Sequence, residues 1–325
     1  MKNFTKLIKP TLDSRSYDTS LFDQVEIYDG LINEEKFPEG KQKCFAGAWY
    51  HKVASEKDQW LGIEGLIRLG EFTPDEKRFN LDGYGRFMDN PSVYMGGKAL
   101  EESDAGLGYN LTYLSSDTSK DLTLSSPKLG YRPFWRYIYQ EVVDFNGNIE
   151  RINHNSWNIA EARALCYCYF PGDLIRMKVY SPIKDYLQLR IEVVEPTKIE
   201  KYVKIRKAYN LPDDKPQDFY SPLFISSGHG HMPAEFKRVN SIDQFGNEGF
   251  YAKDTDASMS EAIWYETYLY RLIDGKLKKV PFTRTRQKVM TCPSKKAHTI
   301  VYGEGLEERI TIHPGKAKGS QYEPL

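Results

Sequence analysis

Leu187 to Val193 reads Leu-Gln-Leu-Arg-Ile-Glu-Val, with apolar and polar residues alternating without a fault. A side-chain period of two puts the aliphatic residues on one face of an extended chain and Gln, Arg and Glu on the other. That is how a half-buried strand is written. The pattern recurs. Leu174 to Tyr180 sets Ile175, Met177 and Val179 against Arg176 and Lys178, and Trp60 to Leu69 sets Leu61, Ile63, Ile67 and Leu69 against Trp60, Glu64 and Arg68. Further strands are predicted over 46–53, 134–143, 202–209, 263–272 and 276–282. Asn146-Gly147 and Asp274-Gly275 supply the residues that tight hairpins need.

The best helix candidate, over 158–165, is short. No βαβ spacing and no blade-length repeat occurs, which excludes parallel α/β folds and propellers. The expected fold is all-β: a two-sheet antiparallel jelly-roll sandwich of concanavalin A-like type. Residues 1–43 read as an N-terminal arm or edge segment, 44–303 as a single large β-sandwich domain, and 304–325 as a polar C-terminal tail. Two consecutive β domains divided near 196–216 are the alternative.

Lys plus Arg balances Asp plus Glu at 45 each, so no global field favours nucleic acid or an acidic membrane. With a mean hydropathy of −0.60, no apolar run approaches the roughly 20 residues a spanning helix needs. Lys2 and Lys6 are followed by Leu7 and Ile8 and then at once by Lys9 and Pro10, so no secretory signal is expected and the compartment is cytoplasmic by default. The cysteines, Cys44, Cys166, Cys168 and Cys292, are few and scattered and include no CxxC pair. They are expected to be reduced. Aromatics are the unusual feature, with 23 Tyr, 16 Phe and 5 Trp. They suit a Tyr-rich sheet, or a groove that stacks on sugar rings.

The segment from Ser226 to Gly249 concentrates polar chemistry. Within it His229, His231 and Glu235 have the spacing HxHxxxE, which on a strand projects both imidazoles to one side. The seven residues resemble the first metal motif of the cupins, and the resemblance implies a metal held by these side chains. Leu223 and Ile242 stand where that motif has glycines, and Gly228, Gly230 and Pro233 suggest a turn. No bound metal and no other cofactor is therefore expected, and a cupin-like metalloenzyme is the third reading. If Ala234 to Ile242 is a strand, Glu235 and Lys237 share one face while Phe236, Arg238 and Asn240 share the other. Asp243 and Gln244 follow, then Asn247 and Glu248 in a glycine-bounded turn.

In period two, Trp264, Glu266, Tyr268 and Tyr270 fall on one face of a long strand. A Glu among aromatics would be desolvated and could serve as a general acid, with Glu64 or Glu235 as the second carboxylate that glycoside hydrolysis requires. A lyase would draw on His231, Arg136, Arg238 or Asn240. The expected function is a carbohydrate-active protein that cleaves glycans by hydrolysis or elimination in an aromatic-lined groove. Its catalytic candidates are Glu266, Glu235 and His231. Its substrate contacts are Trp135, Arg136, Trp264, Arg238, Asn240 and Tyr268, and its partner is a carbohydrate. A non-catalytic carbohydrate-binding or structural β protein is the alternative.

Overall fold

A computed structural model describes residues 20–40, 43–83, 86–109, 130–142, 151–159, 165–208 and 216–320. In chain order its first strands are Ala48–Ala54 (β1), Trp60–Arg68 (β2), Phe72–Thr73 (β3), Asp89–Lys98 (β4), Glu102–Gly108 (β5) and Arg132–Val142 (β6). Arg151–Ile159 (β7), Leu174–Tyr180 (β8), Tyr186–Glu195 (β9), Phe219–Tyr220 (β10), Phe224–Ile225 (β11) and Glu235–Gln244 (β12) follow. The last are Ser258–Ile273 (β13), Lys276–Pro281 (β14), Lys288–Cys292 (β15), His298–Tyr302 (β16) and Glu308–Ile312 (β17). They form two antiparallel sheets. One has seven strands in the order β15-β1-β12-β4-β5-β6-β7. The other has ten, along β10-β9-β8-β2-β13-β17-β16, with β11 on β9 and both β14 and β3 on β13. The all-β expectation and its two antiparallel sheets hold.

The sheets stack on one shared core because each alternating strand turns its apolar set to the same side. Ile175, Met177 and Val179 of β8 and Leu187, Leu189 and Ile191 of β9 are fully buried there, against Val93 and Met95 of β4 and Phe236 and Ile242 of β12. Charge crosses the layer too. Arg238 of β12 and His51 of β1 both bind Glu308 of β17, His51 Nε2 at 3.1 Å from Oε1. Burial alone would raise the Glu308 carboxyl, but Arg238 and His51 hold it down to about 2. Removing Arg238 or Glu308 would leave an uncompensated buried charge, so the pair helps fix how the sheets meet.

Several expectations need correction. Residues 202–209 alternate Val203, Lys204, Ile205 and Arg206, yet Glu200–Ala208 is an α-helix (α1). The same letters also satisfy helical spacing. Tyr202 stacks on Phe170 with ring centroids 5.3 Å apart, and Arg206, one turn on, is buried against Asp173 at 2.5 Å. The stretch read as a polar tail contains β17, whose Ile310 and Ile312 are in the core. Cys44 and Cys292 form a disulfide with Cα atoms 5.9 Å apart, a normal span for the bond, while Cys166 and Cys168 are free. A separation of 248 residues hides such a pairing from spacing arguments. The hairpin at Asp274-Gly275 forms with φ of 51° and 73°, the left-handed pair that a two-residue turn requires. The Asn146-Gly147 turn and most of the 158–165 helix lie outside the described residues, although Asn158 and Ile159 end β7.

Candidate active site

A groove of about 850 Å³ opens on the outer face of the seven-stranded sheet. Its floor is set by register. Asp243 of β12 lies opposite Asn90 of β4, and Ser241 lies opposite Ser92. Further along, Lys237, Gly96, Asp104 and Arg136 stand in one row across β12, β4, β5 and β6. Period two brings these polar groups to one side while Phe236, Asn240, Val93 and Met95 enter the core. A Cβ at Gly108 would meet nothing closer than 3.5 Å, so that glycine leaves the floor open between Phe134 and Asn90.

The carboxylates here do not share one state. Lys237 is 2.6 Å from Asp104 and is also paired with Glu102. Its charge, outweighing burial, brings Glu102 down to about 2. Asp243 has hydroxyl partners instead, Ser92 and Ser241, the latter at 2.9 Å. Burial pushes Asp243 up to about 6, against the pull of those hydrogen bonds and of Arg136, and the charge of Asp104 adds to the rise. Burial and the charges of Asp104 and Asp243 also drive the Tyr94 phenol well above its usual value, so it stays protonated. Asn90 is 6% exposed and its side-chain oxygen meets no donor among the described residues. A carboxyl that titrates near neutrality beside an unused acceptor can move a proton on a ligand that brings an N–H.

The sequence-predicted residues are scattered over four places. Trp264, Arg238 and Asn240 lie between the sheets: Trp264 is fully buried, its Nε1 donates to Asn240 Oδ1 at 2.8 Å, and Arg238 stands 5.2 Å from its ring. Trp135 packs inward too, 5.9 Å from the Phe219 ring. Glu266 and Tyr268 sit on the outer face of the other sheet, where Arg176 and the Tyr268 hydroxyl donate to Glu266 at 2.8 and 3.2 Å. A β-bulge separates them from Trp264. Trp264 pairs with Ile67 and Glu266 with Leu66, so one extra residue on β13 turns Trp264 into the core and keeps Glu266 outside.

Glu235 is held 3.4 Å from Lys52, on the groove side of its sheet, and Arg136 lines the groove itself. His231 is in a turn, 3.6 Å from Asp185, whereas His229 is buried, bonded to Ser226 and pushed down to about 4 by burial. Gly228 and Gly230 at φ of 90° and 81° make that turn, so the two imidazoles do not share a strand face. Among the described residues no three His, Cys, Asp or Glu side chains gather as a metal site. Asp243, Asn90, Ser92 and Tyr94 escaped sequence reasoning as a set. The signal in the chain is the alternation of Lys237, Ser241 and Asp243 along one face.

No family model matches the chain, and no curated protein does. Solved structures of similar architecture include Scytalido-glutamic peptidase with a peptide-based transition state analog. It has a TM-score of 0.44 and 8% identity over 81% of this chain and 97% of that one. The same peptidase with a transition state analog inhibitor gives 0.43 and 8% over 82% and 98%. SCP-B, a member of the eqolisin family of peptidases in complex with the tripeptide Ala-Ile-His, gives 0.40 and 9% over 81% and 97%. The proteins in these structures are peptidases. The expected glycan cleavage, its carbohydrate-binding alternative and the carbohydrate partner are corrected on this chain's own geometry: the aromatic platform they required is absent at Trp264, which is core, and Glu266 is tied to a guanidinium.

Proposed function

We propose that the groove is an acid–base hydrolytic site for peptide-like amide substrates, with Asp243 as the group that moves the proton. One arrangement carries the reading: Asp243 is held by hydroxyls in a groove where Glu102 and Asp104 are held by a lysine, and burial pushes its carboxyl up to about 6. Ionised, it takes a proton from a water molecule attacking the amide carbonyl. Protonated, it returns that proton to the departing amine. A base whose pKa lies near the working pH does both steps well. Ser92 and Ser241 aim the carboxylate, and the Asn90 oxygen accepts an N–H of the bound chain. A polyamide offers such donors at regular spacing. The disulfide supports an oxidising compartment rather than the cytoplasm.

The test is turnover of a mixed peptide library between pH 4 and 8. The parent should cleave it, with kcat/KM rising as pH climbs through about 6. Asp243→Asn should keep the fold and lose about 10²- to 10⁴-fold in rate. Absence of cleavage at every pH, or full activity in Asp243→Asn, would sink the proposal.

A further inference from the structure

Arg136 and Glu248 form an ion pair of 3.2 Å between elements that are not neighbours. Arg136 is on β6, and Glu248 belongs to the turn just after β12. In the sheet β4 and β5 lie between those strands. Three strand spacings amount to about 14 Å, so the two side chains meet only by reaching over the groove floor. Glu248 is 81% exposed. The glycines on either side of its short turn, Gly246 and Gly249, have φ of 65° and 86°, and a Cβ at either would meet nothing within 4 Å. The base of the turn is fixed. Asn247 is buried, and its amide donates to Gln244 Oε1 at 3.2 Å and to the Tyr251 carbonyl at 2.9 Å. The anchored base carries an exposed carboxylate at its tip, and that carboxylate rests on the far wall.

We propose that Arg136 selects an anionic group on the ligand, and that Glu248 holds this place until a ligand carboxylate displaces it. The inference rests on the groove being the binding site for peptide-like chains, and it adds the side chain such a ligand should carry: Asp, Glu or a terminal carboxylate. Exposed pairs of this kind contribute little, so exchange is easy, and a guanidinium can grip an incoming carboxylate through two parallel hydrogen bonds. Arg136 and Asp243 line the same groove, which puts the anion's seat and the proton-transfer group in one binding site.

The experiment uses the full chain and two peptide series, one with a single Glu at successive positions and one with Gln in its place. For the parent, one position of Glu should improve kcat/KM by about tenfold over its Gln match, the size of one good charge-assisted contact. Arg136→Gln should erase that preference, so that within the variant the Glu peptide and its Gln match differ by less than about twofold in kcat/KM. Glu248→Gln should lower KM for the Glu peptide, as its competitor is gone. Calorimetric binding of the same peptides separates the two ideas. If peptides bind with the Glu preference but are not cleaved, the hydrolytic reading fails and this one stands. A Glu preference unchanged in Arg136→Gln, a weaker Glu peptide in Glu248→Gln, or no binding by either series overturns it.

Discussion

On the outer face of the ten-stranded sheet Glu64 is surrounded by cations, with Arg176, Lys279 and Lys178 at 2.8, 3.2 and 3.3 Å and the Tyr270 hydroxyl also donating to it. Phe22, from the N-terminal segment, lies over them with its ring 4.4 Å from Tyr180 and 5.1 Å from Tyr270. On the outer face of the seven-stranded sheet Asp243 has two serine hydroxyls and an open groove. Burial pushes both carboxyls upward. At Glu64 the cations and Tyr270 outweigh it and the group ends below the ordinary range, whereas at Asp243 burial wins. One sheet uses its carboxylate to bind its own strands together and the other keeps one ready to titrate.

The sharpest way to break this contrast is Glu64→Gln. It leaves Lys178, which is 4% exposed, with only the longer Glu192 contact at 3.8 Å among the described residues and should cost about 3 kcal/mol in urea unfolding. A carboxyl whose pKa is lowered by folding adds stability above its unfolded value and loses it as pH falls. The gap between parent and variant should therefore narrow in acid. A loss under about 1 kcal/mol would mean the cluster is ordinary surface charge.

The Cys44–Cys292 bridge comes next, because it secures the groove rather than the covered face. Phe45, beside Cys44, lines the groove, stacks on Tyr50 at 3.9 Å and donates its N–H to the Tyr50 hydroxyl at 2.8 Å. Thiol titration in denaturant without reductant should find two of the four cysteines, and Cys292→Ser should cost about 2–5 kcal/mol. Four thiols would contradict the pairing.

The smallest effect belongs to Glu266→Gln. Glu266 is 30% exposed and shares Arg176 with the better buried Glu64, so its loss should cost about 1 kcal/mol or less and leave peptide turnover unchanged. A large fall in turnover would move the active site to the other sheet.

How much of this could be read from the chain follows from what alternation encodes. Period two carries face, and it placed Ile175, Met177 and Val179 inward and Glu235 and Lys237 apart from Phe236, Arg238 and Asn240. It does not carry which face is covered, so Arg238 and Asn240 looked like ligand contacts although theirs is the core face. A bulge costs one residue and leaves no mark in composition, which is why Trp264 was put beside Glu266. The groove depends on side-by-side strands far apart in sequence, Asp243 with Asn90 and Asp104 with Arg136. Only pairing reveals those neighbours.

The proposal turns on two groove carboxyls, Asp243 pushed up to about 6 and Glu102 brought down to about 2 by Lys237. Carboxyl carbon NMR on protein labelled at Asp and Glu, assigned through Asp243→Asn and Glu102→Gln, measures this directly. The Asp243 signal should titrate at about 6, and Glu102 should stay ionised down to about 2. By linkage, stability from the raised Asp243 value should be full below its unfolded pKa and fade as pH rises through about 6. An Asp243 signal that titrates near the ordinary aspartate value of about 4 would remove Asp243 from the proton-transfer role.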